Sequence, residues 1–502
     1  MQNLSIIILA AGKGSRMKSD LPKVMHKVAG REMLNMVIDE AKKLQPQSIA
    51  VVVSEEFAQF EKKVFDEHSA AVKISFALQK VRKGTADAVK IGLASLKKPA
   101  EKILILYGDT PLIQEKTLRE MLEKISSRNN ALCVLGFDCI TDNAYGRLVT
   151  DVNGNLEKII EFKDASPKEK KISLCNSGVV AVRGDQLGKL LAQVKNNNAS
   201  GEFYLTDIVG IACNSKLQCS FIKTNADEVL GVNSRVELAK IEAIKQNFLR
   251  TKIMEAGTTL LDPSSIYFSY DTKISHDVIV HPHVVFGTKV AVEKNVEIKS
   301  FCHIDGAEIA TGAVVGPFAR IRPETKIGAN VRIGNFVEIK KSLLKEGAKV
   351  NHLSYIGDSE IGREANIGAG VITCNYDGYG KFKTEIGDNV FVGSNSALVA
   401  PVKVGKGAVI GAGSVITQEV AVDELAVSRV KQVNIVRGGK KYHAAKMQNK
   451  NNTQQQEANK QKAAEVVQKK KLQIKSSKKL LAKTKINSPI KTKVSNKKTS
   501  KK

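Results

Sequence analysis

The sequence predicts an α/β chain in two unlike parts, a Rossmann-like layered domain at the N-terminus and a parallel β-helix at the C-terminus. Apolar strand-like runs alternate with amphipathic helical segments between Ile6 and Tyr107. An aliphatic residue then recurs every six positions through most of Ile274 to Val420. Neither a helix, with period 3.6, nor a flat strand, with period 2, produces that spacing.

Ile6 to Ala10 reads as a buried first strand, too short for a membrane span and not preceded by a basic region. Met33 to Leu44, Ile49 to Val53, Ala86 to Leu96 and Ile103 to Tyr107 continue the alternation. Such a domain carries a mainly parallel sheet, whose ligands gather beyond the carboxyl ends of its strands. Two segments occupy such ends. Leu9, Ala10, Gly12, Gly14 and Arg16, followed by Pro22 and Lys23, form a glycine-rich strand-to-helix turn. Its backbone N–H groups can approach phosphate oxygens, and its two cations can neutralise a polyphosphate. Met17 stands where a dinucleotide fingerprint needs its third glycine, and the turn is no Walker A loop either. Asp109, directly after Leu106, Tyr107 and Gly108, can hold Mg²⁺ at the sheet edge or cap the next helix.

Ser234 and Glu237 fit a capping box, and apolar residues recur from Val236 to Met254 before Gly257. This is one helical arm within a connector spanning about 227–262, after a first domain of 1–226.

The hexad run fills 263–438. Stepping by six from Ile309 gives Val315, Ile321, Ile327, Ile333 and Ile339, each expected to point into a stack of coils. A glycine often follows, as at Gly316, Gly328 and Gly334, and is expected to let the chain turn the corner. Between Thr373 and Ile386 the period stops, which marks a loop thrown off one coil. Function in a solenoid must come from outward residues. Arg322 and Lys340 lie 18 positions apart, one coil, and so can hold one phosphate on a shared face. His352, two positions after inward-facing Val350, is placed to act as a general base. His281 and His283 have no further ligands nearby and are not read as a metal site.

The chain has 502 residues and a formal charge of +27. Lys440 to Lys502 alone holds 20 lysines, no arginine and 2 glutamates, which leaves the other 439 residues at +9. The excess positive charge is therefore a property of the tail and not of a nucleic-acid-binding core. Residues 439–502 read as a disordered Lys-rich tail, either solubilising or drawn to nucleic acid or an anionic surface. Seven dispersed cysteines without metal-ligand spacing fit reduced thiols in a cytoplasmic protein.

Leu9 to Met17, the Leu21, Pro22 and Lys23 triplet, and Tyr107, Gly108 and Asp109 resemble the sugar nucleotidyltransferases. Joined to a hexapeptide solenoid, residues 1 to about 430 resemble a narrower family. These are the bacterial bifunctional UDP-N-acetylglucosamine pyrophosphorylases and glucosamine-1-phosphate N-acetyltransferases. The resemblance implies a left-handed β-helix, a trimer and supply of UDP-N-acetylglucosamine for the cell envelope. In the first domain it implies that Leu9, Ala10, Gly12, Gln79, Gly84 and Thr85 contact uridine. Arg16 and Lys23 would act on the phosphates of UTP, and Asp109 with Asn233 would hold Mg²⁺. Tyr107, Gly146, Glu161 and Asn176 would face the sugar.

In the solenoid His352 would be the catalytic base, with Arg322, Lys340, Tyr355, Asn366 and Lys381 binding the amino-sugar phosphate. Asn375, Tyr376, Ser394, Ala412 and Arg429 would line the acetyl-CoA site. One departure bears on the base. Family members commonly read Gln-Leu-Gly-Thr-Gly-His-Ala where this chain has Arg82, Lys83, Gly84, Thr85, Ala86, Asp87 and Ala88. The Gly-Thr pair stays, while the strictness of uracil preference is left open.

Overall fold

The computed structural model describes residues 3–96, 98, 100–127, 129–139 and 144–483, with 475–483 as backbone only. The end of the Lys-rich extension, 484–502, lies outside the described residues. Residues Met1–Arg429 form one compact unit and the chain from Val430 a second.

The first sheet runs in the order Gln218–Thr224, Asn130–Asp138, Leu174–Arg183, Lys102–Tyr107, Leu4–Leu9, Ser48–Val53 and Ile74–Leu78. The last four are mutually parallel, whereas Leu174–Arg183 runs antiparallel to both of its neighbours. Leu4, Ile6 and Ile8 feed one apolar layer beneath the helix Met33–Lys43, and Ile7 feeds the opposite layer beneath Thr85–Ser95. Both faces of the central strand are thus covered, which is why its residues form a continuous apolar run.

The arm helix is Arg235–Glu255. Ser234 Oγ accepts from the Glu237 backbone N–H, and Glu237 accepts from the Asn233 N–H at 2.7 Å, so the capping box closes around Asn233. Gly257 takes φ +96°, a conformation that favours glycine at a helix end.

Three parallel sheets of 10, 8 and 8 short strands make up the solenoid, an arrangement that fits a left-handed β-helix of hexapeptide repeats. Ile304, Ile321, Ile339 and Ile356 follow one another in register from coil to coil and are fully buried. The first coil begins at Thr259–Leu260, paired with Ile279–Val280, inside the stretch that the periodicity assigns to the connector.

The corners differ from the sequence expectation. Gly316 takes φ +99°, but Gly328 and Gly334 do not have positive φ; there the turning is done by residues three positions after each inward aliphatic, such as Asn330 and Phe336, as it is at Phe318 and Glu324. The glycine serves close packing instead, since a Cβ on Gly328 would meet the Leu344 carbonyl oxygen at 2.7 Å. One corner carries an exposed ladder in which His283, Phe301, Phe318 and Phe336 stack at 4.9 to 5.2 Å between ring centroids.

The C-terminal unit also departs from the reading of disorder. Gly438–Lys483 is a single helix, exposed along Gly439 to Ile474. Ala, Gln, Lys and Glu lose little rotamer freedom in a helix, so the segment is locally helical without burying a face.

Candidate active sites

The first site lies at the carboxyl ends of Leu4–Leu9 and Lys102–Tyr107, where the strand order reverses. The Gly108 N–H donates to the Leu9 carbonyl at 2.9 Å, which holds the two exits side by side. Leu9 and Ala10 lead out of the central strand, the Ala10 N–H donating to the Val52 carbonyl at 2.8 Å, and a Cβ on Gly12 would lie 3.9 Å from Lys23 Nζ. Gly14, at φ +61°, closes the turn onto the Lys23 stem. The Lys23 ammonium pairs with the Asp109 carboxylate and donates to Asn233 Oδ1 at 3.0 Å. Their side chains are 11% and 16% exposed, so water screens this pair little. Arg16 stands apart, exposed and without an ion pair among the described residues.

A loop faces this turn. Gly84, at φ +122°, has no room for a Cβ, which would meet the Phe203 carbonyl oxygen at 2.5 Å. Thr85 Oγ1 accepts from the Leu205 N–H at 2.9 Å. Buried Gln79 donates from Nε2 to Asp87 Oδ2 at 2.9 Å and to the Gly84 carbonyl at 3.4 Å. Two acceptors at one end fix the amide nitrogen there and leave Oε1 on the other side. Arg82 ties the loop down by donating to the Ala11 carbonyl at 2.7 Å and to Glu56.

Beside the loop, Gly146 accepts from the Asn176 N–H at 2.8 Å, and Asn176 Oδ1 accepts from the Gly178 N–H at 3.0 Å. Gly178 packs against the Tyr107 ring, and Gly146 lies next to the Glu161 carboxylate. Tyr107, Gly146, Glu161 and Asn176 are thereby gathered. Burial raises the Glu161 carboxyl above its usual range, against a hydrogen bond from Thr206 that lowers it, and Asp164 raises it further. Tyr107 is likewise pushed up, first by burial and then by Glu161 and Asp109.

In the solenoid, Arg320–Ile321 pairs with Glu338–Lys340, so Arg322 and Lys340 follow adjacent rungs of one sheet. Arg322 is bound to Glu338 at 2.8 Å. Lys381, from the loop that interrupts the period, comes against Lys340. Contact with Lys381 first, and the charge of Arg322 after it, lower the pKa of Lys340. No ion pair with a carboxylate forms at Lys340 or Lys381 among the described residues, although the Asp358 charge acts on both, and three cations crowded together can attract an anion. Tyr355 Oη and Asn375 Nδ2 meet over Gly357, and Asn375 donates to Asp358. Tyr376 bridges to Lys381 across the loop hairpin.

His352 ends one strand and Tyr355 begins the next, around the corner residue Leu353. His352 Nδ1 lies 2.8 Å from Asn335 Oδ1. A carbonyl oxygen there places the proton on Nδ1 and leaves the Nε2 lone pair available as a base. Ser394, Ala412 and Arg429 also come together: the Gly413 N–H donates to the Ser394 carbonyl at 2.8 Å, and Arg429 donates to the Ala412 carbonyl at 2.6 Å. Asn366 pairs with Lys349, on the strand that ends at His352, and with Phe391, so it sits one rung from the His352 strand and on a different sheet from Tyr355.

Four residues escaped the sequence reading. Asn335 lies 17 positions before His352 and could have been found by the one-coil spacing that linked Arg322 to Lys340. Arg235 reaches His26 Nδ1 at 3.2 Å and the Met17 carbonyl at 3.3 Å, tying the arm to the first turn. Its only signal is its place at the start of the arm helix. Asp87 as a holder of Gln79, and Asp358 as a holder of Asn375, had no local signal. His281 pairs with Glu297 and His283 stacks on Phe301, and among the described residues no group of three or more His, Cys, Asp or Glu could hold a metal.

Residues 6–143 match the MobA-like NTP transferase domain family, and residues 304–434 match the GMPPB C-terminal domain. A bifunctional protein GlmU from Zymomonas mobilis subsp. mobilis is 47% identical over 443 residues, 88% of this chain and 98% of that protein. One from Paramagnetospirillum magneticum is 47% identical over 442 residues, 88% of this chain and 97% of its own. A third, from Bartonella quintana, is 42% identical over 447 residues, 89% of this chain and 98% of its own. With 443 of 502 residues aligned, 59 are left over, close to the length of the Lys-rich extension.

Proposed function

The chain belongs to the bifunctional GlmU family of transferases, and on that premise we propose how its two sites divide the work. It is a glucosamine-1-phosphate N-acetyltransferase and a UDP-N-acetylglucosamine diphosphorylase. The solenoid, about 263–438, acetylates glucosamine-1-phosphate with acetyl-CoA. The N-terminal domain, 1–226, then transfers UMP from UTP to the product, giving UDP-N-acetylglucosamine and pyrophosphate. The observation that carries this reading is the meeting of Lys23, Asp109 and Asn233 beyond the central strands.

Asp109 and Asn233 offer a carboxylate and an amide oxygen to one cation, a donor set that fits Mg²⁺. When bound, Mg²⁺ supplies charge neutralisation at the triphosphate. Lys23 and Arg16 hold the phosphates for in-line attack by the sugar-phosphate oxygen, and no covalent protein intermediate is required. Gln79 presents Oε1 to the base, an acceptor for the N3–H of uracil. Asp87 keeps the amide that way round, so it stands in for the histidine that the family pattern carries there.

In the solenoid Arg322, Lys340 and Lys381 hold the sugar phosphate. His352 Nε2 takes the proton from the C2 amine as that amine attacks the thioester carbonyl. We assign the acetyl-transfer sites to adjacent chains of a homotrimer, with the exposed Phe301, Phe318 and Phe336 ladder as part of the covered surface. No helix among the described residues is long and apolar enough to cross a membrane. A cytoplasmic location fits the seven free cysteines.

The test is an assay of purified protein that follows thiol and pyrophosphate release separately. Glucosamine-1-phosphate with acetyl-CoA alone should release thiol, and later addition of UTP and Mg²⁺ should release pyrophosphate. Pyrophosphate release without thiol release would leave a single-activity nucleotidyltransferase with a structural solenoid.

A further inference from the structure

The helix Gly438–Lys483 holds none of the residues assigned to either site, and relatives matched over 97–98% of their own length cover 88–89% of this chain. It carries 13 lysines against 2 glutamates. At 1.5 Å per residue it reaches about 69 Å, roughly two turns of a nucleic-acid duplex. Like charges one turn apart, such as Lys446 and Lys450, weaken an isolated helix, and a polyanion laid along it relieves that repulsion. Between the lysines stand Asn and Gln residues at 449, 451, 452, 454, 455 and 456, side chains that donate to phosphate oxygens without adding charge.

Two rival partners fit less well. A helix lying on a membrane needs one apolar face. Here Val466 and Val467 point about 100° apart and Leu472 about 140° from Val467, each more than half exposed. The scatter also removes the seam that a coiled coil needs. Single-stranded nucleic acid is held on aromatic platforms, and Tyr442 is the lone aromatic ring of this helix apart from His443.

We propose that the helix Gly438–Lys483, exposed along Gly439 to Ile474, is a docking surface for double-stranded nucleic acid, bound through its phosphate backbone without sequence preference. A helix with lysines on every side brings about half of them to one duplex, on the order of six phosphate contacts. Affinity should then fall by about 10³-fold between 50 and 200 mM salt.

The experiment measures fluorescence anisotropy of a labelled 30-base-pair DNA duplex with the full chain and with a chain ending at Arg437. A third protein carries Lys→Gln at Lys460, Lys462, Lys469, Lys470 and Lys471, changes that keep helix propensity. Phosphatidylglycerol vesicles and a 30-nucleotide single strand are run as competitors. The expected result is duplex binding by the full chain, at least tenfold weaker in the substituted chain and lost on truncation, with both enzymatic rates unchanged. Equal binding by the truncated chain, or no binding at 50 mM salt, overturns the proposal. So does preferential capture by the vesicles or by the single strand.

Discussion

The two catalytic regions solve opposite problems of placement. In the α/β domain Lys23, Asp109 and Asn233 are separated by 86 and 210 positions in sequence, yet they meet in a pocket where charge is little screened. In the solenoid Arg322, Lys340 and His352 lie within two coils, their neighbours one rung away, and their side chains stay open to solvent. A fold whose strands end at one edge can converge distant residues, whereas a solenoid stacks residues that lie one coil apart.

This contrast can be broken most strongly at Asp109. Asp109→Ala removes the charge facing Lys23 and should reduce pyrophosphate release by about 10³-fold while leaving thiol release intact. A parallel loss of thiol release would mean the sites are not independent. His352→Ala should lower thiol release by about 10²- to 10⁴-fold, and supplied N-acetylglucosamine-1-phosphate should restore pyrophosphate release to the wild-type rate.

A smaller effect is expected one coil away. Asn335→Leu should cost about tenfold in kcat of acetyl transfer with KM little changed, since it frees the imidazole to adopt either tautomer. Asn335→Asp keeps an oxygen acceptor for the Nδ1–H and should hold kcat within a few-fold of the wild type. Equal losses in the two variants would remove Asn335 from the mechanism. The smallest change concerns the base. Asp87→Ala frees the Gln79 amide to turn over, so the ratio of kcat/KM for UTP to that for CTP should fall by about tenfold, with Tm nearly constant. A changed Tm with an unchanged ratio would make Asp87 a structural residue only.

Much of this was legible in the residues. The hexad period located the coils, and the one-coil spacing put Arg322 and Lys340 on adjacent rungs. Ser234 and Glu237 announced the start of the arm helix, and Leu9 to Gly14 announced the turn that covers Lys23. Misreadings came where two physical reasons give the same residue. Small residues after each inward aliphatic suit a corner and a close backbone approach equally well, and Gly328 serves the second. A Lys- and Gln-rich segment without apolar residues suits disorder and an exposed helix alike, and Gly438–Lys483 is helical.

By itself, then, the sequence determined the period, the caps, the glycine turn and the charge of the tail, features whose cause lies within one coil or one helical turn. Only the tertiary structure decided that the Lys23 ammonium stands between Asp109 and Asn233 and that Asp87 is bonded to Gln79. The reason is that side-chain periodicity is set by bonds between neighbours. Contacts across hundreds of positions are set by how strands order in a sheet, which no local spacing records.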